Sequence, residues 1–466
     1  MTDFLILMKQ ELLVAVILFI LLFLKLGSKE WRVESLLNFI NILLLLNLIA
    51  GFFGGAEGKL FGEMFRTNAL IMLEKNILNL GVLIISLQSY SWLKNHKHIA
   101  EYYMLLLSTL LGMFFMISSN NILMFYLGLE LSSIPLAAMC NFDLEKRISS
   151  EAAFKFIMSS GFSSGLLLFG VSMLYGTTGS LDFPKITQHL NGNPLEIFSF
   201  ILLVAGFGFK ISAVPFHLWT ADVYEGSPVA TTSYLSVISK GAILFVFVSV
   251  LYNVFTPIAQ TWYNMIFLIS VITMITGNLF ALRQQNMKRF LAFSSIAQVG
   301  FILVGLSGQS TMGAASVIFF VMIYVFSNLG AFGVISIVSA ITGREQVDDY
   351  KGFYKTNPLL TWVLTISLFS LAGIPPTAGF FGKFFLIMAG AGKGNYVLVT
   401  IAALNMVVSL YYYLRVVKAM FMDTNENPIE RVSSNVMEKF SFAICVGGIL
   451  ITGIASGAYH YIYSLF

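Results

Sequence analysis

The sequence predicts an all-α integral membrane protein of about fourteen transmembrane helices, and three observations carry that prediction. Hydrophobic residues make up 57% of the 466 and charged residues only 11%, where a soluble domain carries about 25% charged residues. Apolar stretches long enough to cross about 30 Å of hydrocarbon recur along the whole chain. Lysine and arginine concentrate in alternate loops.

The apolar stretches lie near 8–27, 35–54, 68–90, 100–118, 120–140, 151–176 and 196–215, then near 228–252, 261–282, 289–307, 312–341, 358–389, 396–421 and 437–459. The first follows a short polar start without a small-residue cleavage site, so it is read as a retained span. With an even number of spans both termini share one side. Placing them outside puts seventeen basic residues on the cytoplasmic side, from Lys25, Lys29 and Arg32 through Lys146, Lys288 and Arg289 to Arg431 and Lys439. The opposite side receives five: Lys9, Lys59, Arg66, Lys185 and Lys393. That asymmetry predicts both termini on the outer side of the membrane.

The remaining five basic residues, Lys75, Lys155, Lys210, Lys240 and Lys383, fall inside predicted spans, and all are lysine. An ionisable group at a helix centre costs about 2.5–3.5 kcal/mol on insertion scales, so it usually has a partner or a task. An ammonium can give up its proton when desolvated, whereas a guanidinium effectively cannot.

Beyond an N-terminal three-helix segment (1–99), spans four to eight (100–252) and nine to thirteen (261–421) form two blocks of five, followed by a last helix (437–459). Five is odd, so the second block runs through the membrane in the opposite sense, as inverted repeats do. Each block has one span interrupted by proline near a lysine: Pro215 after Lys210, and Pro375-Pro376 before Lys383. Proline removes a backbone donor and breaks or kinks the helix. At membrane depth the freed groups must be satisfied by protein or a wet cavity. One such site alone is as readily an ordinary kink; two in corresponding positions mark a transport path.

Glu130, midway along the fifth span, requires a cation at that depth. Lys210 is the first choice. Lys155 competes, although Glu151 and Lys155 are spaced i,i+4 and can pair near the end of their own helix. A static ion pair is the plainer reading, but further lysines without obvious partners favour proton transfer. Lys240 lies mid-span before Gly241 and Ala242, and Lys383 follows the second break. A lone histidine is more often a packing residue. His217, beside a break and ahead of a loop at 218–228, is instead a relay candidate. Glu74 and Lys75 lie about a turn and a half into the third span and are expected to snorkel to the interface.

Other chemistry finds no motif. Cys140 and Cys445 form no CxxC pair. Gly206-Phe207-Gly208 opens no βαβ unit, and Gly390-Ala391-Gly392-Lys393 lacks the leading glycine and the hydroxyl residue of a phosphate loop. Energy for pumping must come from a partner.

The runs Leu129-Glu130-Leu131-Ser132-Ser133-Ile134-Pro135, Ser150-Glu151-Ala152-Ala153-Phe154-Lys155, Pro215-Phe216-His217-Leu218-Trp219, Lys288-Arg289-Phe290-Leu291-Ala292-Phe293 and Gly373-Ile374-Pro375-Pro376-Thr377 resemble the antiporter-like membrane subunits of respiratory complex I, the NADH:quinone oxidoreductase. Asp222-Val223-Tyr224-Glu225-Gly226, and lysine rather than glutamate at 383, resemble the subunit N branch rather than subunits L and M or the multisubunit cation/proton antiporters. Ala221 and Ser227 depart from the family pattern, in the loop rather than at the charged positions. The resemblance, over about 68–420, implies inverted five-helix repeats with broken seventh and twelfth helices. It implies proton transfer at Glu130, Lys155, Lys210, His217, Lys240 and Lys383. It also implies no cofactor in this chain: FMN, iron–sulfur clusters and quinone are expected in partner subunits. The implied partners are the antiporter-like subunit M, the small subunits K and J, and indirectly the quinone-binding and hydrophilic arm. A free-standing cation/proton antiporter subunit and an inert membrane scaffold are the competing readings.

Overall fold

The computed structural model describes residues 2–27, 31–455 and 457–466; Lys29, one of the basic residues counted above, lies outside them. The chain is almost wholly helical. We number the principal helices α1 (Lys9–Leu26), α2 (Val33–Gly51), α3 (Ala69–Gln88), α4 (Ile99–Ile117), α5 (Ile122–Cys140), α6 (Arg147–Thr178), α7 (Pro194–Ile211) and α8 (Leu218–Gly226). Then come α9 (Val229–Asn253), α10 (Thr256–Ala281), α11 (Met287–Leu306), α12 (Thr311–Thr342), α13 (Pro358–Ala372), α14 (Ala378–Ala391), α15 (Tyr396–Phe421) and α16 (Val436–Ile454). A two-stranded antiparallel ribbon, β1 (Gly58–Leu60) and β2 (Phe65–Thr67), precedes α3.

Side-chain caps at the helix starts fix many of these boundaries. The Asn68 side chain accepts from Ile71 N, Asn121 from Leu123 N, and Asn286 from Lys288 and Arg289 N. Asn193–Glu196 and Asn435–Glu438 close reciprocal capping boxes on α7 and α16. Such caps satisfy amide groups that apolar surroundings would otherwise leave orphaned.

Twelve helices among the described residues are long and apolar enough to cross a membrane. Fourteen crossings are reached only by adding α1, whose Lys9, Glu11 and Lys25 keep it out of that set, and by joining α13 and α14 as halves of one interrupted span.

The two blocks repeat their devices. The third helix of each, α6 and α12, runs for 32 residues and stops at a left-handed glycine, Gly179 (φ +68°) or Gly343 (φ +69°). Each has a break where proline predicted one. α7 ends at Ser212 (φ +64°) before Pro215, and α13 ends at Gly373 (φ +88°) before Pro375-Pro376. The residues after the first break differ from expectation, since 218–226 is helix rather than loop. Trp219, Val223 and Tyr224 give that segment an apolar face buried against its neighbours. α12 is buried almost end to end at the centre of the molecule, whereas α6 exposes Phe154, Met158, Phe162 and Phe169 along its outer side.

Close helix pairing at the start of each block depends on glycine. A Cβ at Gly112 of α4 would lie 2.5 Å from Ser132 N, and one at Gly128 of α5 would lie 2.7 Å from Met116 N. In the second block a Cβ at Gly277 of α10 would lie 2.5 Å from Ala297 N of α11. Backbone atoms cannot yield as side chains do, and such overpacking costs about 1–3 kcal/mol or more. Gly112→Val and Gly277→Val are therefore expected to lower the thermal unfolding temperature of the purified protein. Gly161→Ala, where no atom lies within 4 Å of the added carbon, should leave it unchanged.

Candidate functional site

Four of the five lysines assigned to spans are buried: Lys383 is 0% exposed, Lys75 1%, Lys240 2% and Lys210 7%. In Lys155 the structure departs from expectation. Its side chain is 39% exposed and pairs with Glu151 at 2.8 Å and Asp222 at 2.6 Å. It lies within the first turns of α6, where the i,i+4 carboxylate and Asp222 of α8 both reach it.

Lys210 and Glu130 form no direct ion pair. Lys210 Nζ instead donates to Ser133 Oγ at 2.6 Å and Ser160 Oγ at 2.8 Å. Ser133 is three residues beyond Glu130 on α5, so its hydroxyl occupies the face from which the carboxylate would reach. Glu130 is half-buried, with Oε1 enclosed and unpartnered. Its charge acts on Lys210 only through space. A cavity of about 10 Å³ connects Lys210, Ser132, Ser133 and Trp219 with Ser239, the residue before Lys240, a volume near that needed for one water molecule.

Lys240 follows a π-helical turn, Tyr234–Ser239, within α9. Its Nζ donates to Ser295 Oγ at 2.8 Å and lies 5.3 Å from the Tyr224 ring centre. One turn along α11 from Ser295, Gln298 Nε2 donates to the Leu371 carbonyl at 2.9 Å and to Tyr413 OH at 3.1 Å. The same Leu371 carbonyl accepts from Lys383 Nζ at 2.7 Å, and Ala372 O lies 3.3 Å from that nitrogen. These carbonyls belong to the last turn of α13, which the second break strips of their helical donors. α11 thus serves both amines: Ser295 accepts from Lys240, and Gln298, one turn on, shares the freed Leu371 carbonyl with Lys383.

His217 is buried at the start of α8 with Nδ1 unpartnered, and among the described residues no hydrogen bond ties its ring to a lysine. Lys75, expected at the interface, is instead in a buried pair with Glu11, 2.5 Å away, because Glu11 of α1 packs inward against α3. Lys288, counted among loop residues, is also buried, pairing with Glu345 at 3.1 Å.

Opposite ends of the molecule carry clefts. One of about 410 Å³ opens at the lysine-rich face and is lined by Asp143, Lys146, Glu225, Ser227, Lys288 and Glu345 among others. Beside it Arg289 Nη1 bridges Asp222 and Glu225, both at 2.7 Å. In the loop after α5, burial would raise Asp143, but hydrogen bonds from His96 and Lys146 outweigh it and hold its carboxyl at about 2. It is anionic at any physiological pH.

The serines, Gln298 and Asp222 were not among the site residues read from the sequence, although Ser132, Ser133 and Asp222 lie in runs that carry the family resemblance. A signal for the first was present: the doublets Ser132-Ser133, Ser159-Ser160 and Ser294-Ser295 interrupt apolar spans, and each supplies a lysine with its hydroxyl.

Two interrupted helices and a file of buried amines bridging inverted blocks define an antiporter-like ion-conducting membrane module. Residues 119–409 match the family described as NADH:quinone oxidoreductase/Mrp antiporter, transmembrane. NADH-quinone oxidoreductase subunit N of Phocaeicola vulgatus is 45% identical over 96% of this chain and 94% of its own length. Among solved structures, a chain of respiratory complex I from Thermus thermophilus superposes with a TM-score of 0.82, 26% identity and coverage of 96% of this chain and 97% of that one. A chain of the Mrp complex from Dietzia sp. shares the fold at 19% identity, with a TM-score of 0.81 and 97% of both chains covered. The chain belongs to the antiporter-like membrane subunits of that family, in its NADH-quinone oxidoreductase subunit N branch. It is accordingly a multi-pass membrane subunit of a multisubunit complex, and its fold fits proton translocation.

The two kinds of ion pair predict contrasting stability effects. Removing one partner of a fully buried pair costs about 3–5 kcal/mol, and half-exposed pairs contribute about 0.2–1 kcal/mol. Glu11→Ala should therefore lower the unfolding temperature clearly, and Glu11→Leu combined with Lys75→Met should recover most of the loss. Lys155→Ala should change it little.

Proposed function

We propose that protons cross this subunit along Glu130, Lys210, Lys240 and Lys383, with energy supplied by redox chemistry in partner subunits. The observation that carries the reading is that one stretch of α11 serves two buried amines: Ser295 accepts from Lys240, and Gln298, one turn on, donates to the Leu371 carbonyl that also accepts from Lys383. The water-sized cavity between Lys210 and Ser239 extends it to the first break. Each amine has oxygen acceptors, so it can hold a proton. Among the described residues Lys210, Lys240 and Lys383 have no carboxylate within ion-pair distance that would fix it there.

Magnitudes agree. Moving one proton against about 150 mV requires roughly 3.5 kcal/mol. A unit charge brought to about 4 Å at an effective dielectric of about 20 contributes about 4 kcal/mol. Closing the gap between Glu130 and Lys210 is therefore enough to load the amine, and reopening it frees the proton to move on. Lys155, held by Asp222 and Glu151, sets the charge at the lysine-rich end of this device. His217 serves as a relay at the break through its free Nδ1.

On this reading the chain is the non-redox part of a translocase. FMN, iron–sulfur clusters and quinone belong to partner subunits. Antiporter-like subunit M and small subunits K and J are its membrane neighbours, connecting it to the quinone-binding and hydrophilic arm. It resides in a bacterial inner membrane with both termini on the periplasmic side. Its organisation is 1–99, the repeats 100–252 and 261–421, and the closing helix 437–459. A multisubunit cation/proton antiporter shares the fold, and the partners decide between the two. Purification in mild detergent is expected to bring down flavin- and iron–sulfur-containing subunits; recovery with antiporter subunits alone would reject the redox assignment.

In that complex, reconstituted into vesicles, Lys210→Met, Lys240→Met and Lys383→Met are each expected to slow NADH-driven proton transport by about tenfold or more, equivalent to about 1.4 kcal/mol or more of barrier. Glu130→Gln should do the same, and assembly should persist in all four. Transport at the unsubstituted rate in the lysine variants would refute the proposal.

A further inference from the structure

The thread above leaves unused a second buried charge cluster in the N-terminal helices. Lys75 and Glu11 pair there, and Glu11 Oε2 is enclosed without a partner. Next to Lys75, Glu74 is only 5% exposed and makes no hydrogen bond or ion pair among the described residues. Arg66 of β2 approaches from the lysine-poor face. One of its terminal nitrogens donates to Ser249 Oγ at 2.6 Å, Nε is enclosed and unpartnered, and its charge acts on Glu74 through space. Arg66 also lines an open cleft of about 370 Å³ with Asn120, Phe183 and Asn253.

This cluster adjoins the lysine thread. Leu78, one helical turn from Glu74 on the same face of α3, packs against α9 beside Lys240: a Cβ at Gly241 would lie 3.6 Å from Leu78 Cδ2. Along α9, Ser249 is nine residues from Lys240, roughly 14 Å at 1.5 Å per residue. Glu74 therefore shares a face of α3 with Leu78, which packs beside Lys240, and feels the charge of Arg66, which lines the open cleft. Packing does not require a carboxyl there. A buried polar group without a partner costs the fold free energy that an apolar side chain would not, and ionisable groups kept at such depth usually serve transport.

We propose that Glu74 is the proton-release residue of this subunit, discharging to the lysine-poor face through the Arg66 cleft. The Lys240 ammonium, supplied from the lysine on either side of it along the thread, gives up a proton to the Glu74 carboxylate across water admitted past Leu78: an N–H bond breaks and a carboxyl O–H bond forms. The carboxyl then passes the proton to water in the cleft, and Arg66 faces the carboxylate that remains. The Lys75–Glu11 pair holds the cluster in place. Such release rests on the lysine thread, so the test must separate the two.

The test uses the complete complex in proteoliposomes, with acidification measured by a pH-sensitive dye, NADH oxidation measured alongside and thermal stability of the complex recorded. Glu74→Gln keeps the shape of the side chain and removes the ability to carry a proton. It is expected to reduce protons moved per NADH oxidised several-fold without loss of assembly, and Glu74→Asp should restore much of the transport. If Lys240→Met abolishes transport while Glu74→Gln leaves it intact, release occurs elsewhere and this proposal is overturned alone. If Lys240→Met transports normally, the thread itself falls and the release role with it. If Gln and Asp both lose transport together with thermal stability, Glu74 is structural and the proposal is likewise rejected.

Discussion

An ammonium surrounded by hydrocarbon must find oxygen, and the kind of oxygen it finds determines whether it can act. A carboxylate at close range supplies a full counter-charge, as Glu11 does for Lys75. Hydroxyls and main-chain carbonyls satisfy the donors without a full counter-charge, as at Lys210, Lys240 and Lys383. The rest of the architecture follows from supplying such oxygens at depth. Serine doublets are set into apolar helices, and the second interrupted span exposes the carbonyls of its own broken end.

The same requirement makes the two breaks unequal. At the first, Lys210 lies before the break and takes its oxygens from serines on α5 and α6. At the second, Lys383 lies after the break and takes them from the end of α13. Inverted repeats thus share a fold device, a left-handed cap followed by proline, while filling it with different donors and acceptors. Central α12, buried along its length, packs against α9 of the first block and against both halves, α13 and α14, of the second interrupted span.

Much of this was legible in the sequence because depth in a membrane leaves a strong record. A lysine in the middle of twenty apolar residues, or two prolines interrupting such a run, has few explanations. Lys210, Lys240 and Lys383 were identifiable on that ground, and so were the breaks. Partners were not. The acceptors of Lys210 lie 50 and 77 residues away, and serine within a membrane helix more often marks close packing than a ligand. Lys155 appeared buried because its span was placed a few residues too generously, although its carboxylate neighbour at i−4 pointed to an end position. Lys75 was misplaced because it lies only about a turn and a half into its span, and nothing in a linear reading pairs it with Glu11, 64 residues away.

The acceptor shared by Gln298 and Lys383 is the carbonyl of Leu371, and a carbonyl is not encoded by any particular codon. Substituting residue 371 changes a side chain and leaves the main-chain oxygen in place, so an alanine scan would pass over the acceptor that Gln298 and Lys383 share. Its chemical signature is vibrational: a ¹³C-labelled amide at 371 would report the neighbouring amine's protonation through its carbonyl stretch.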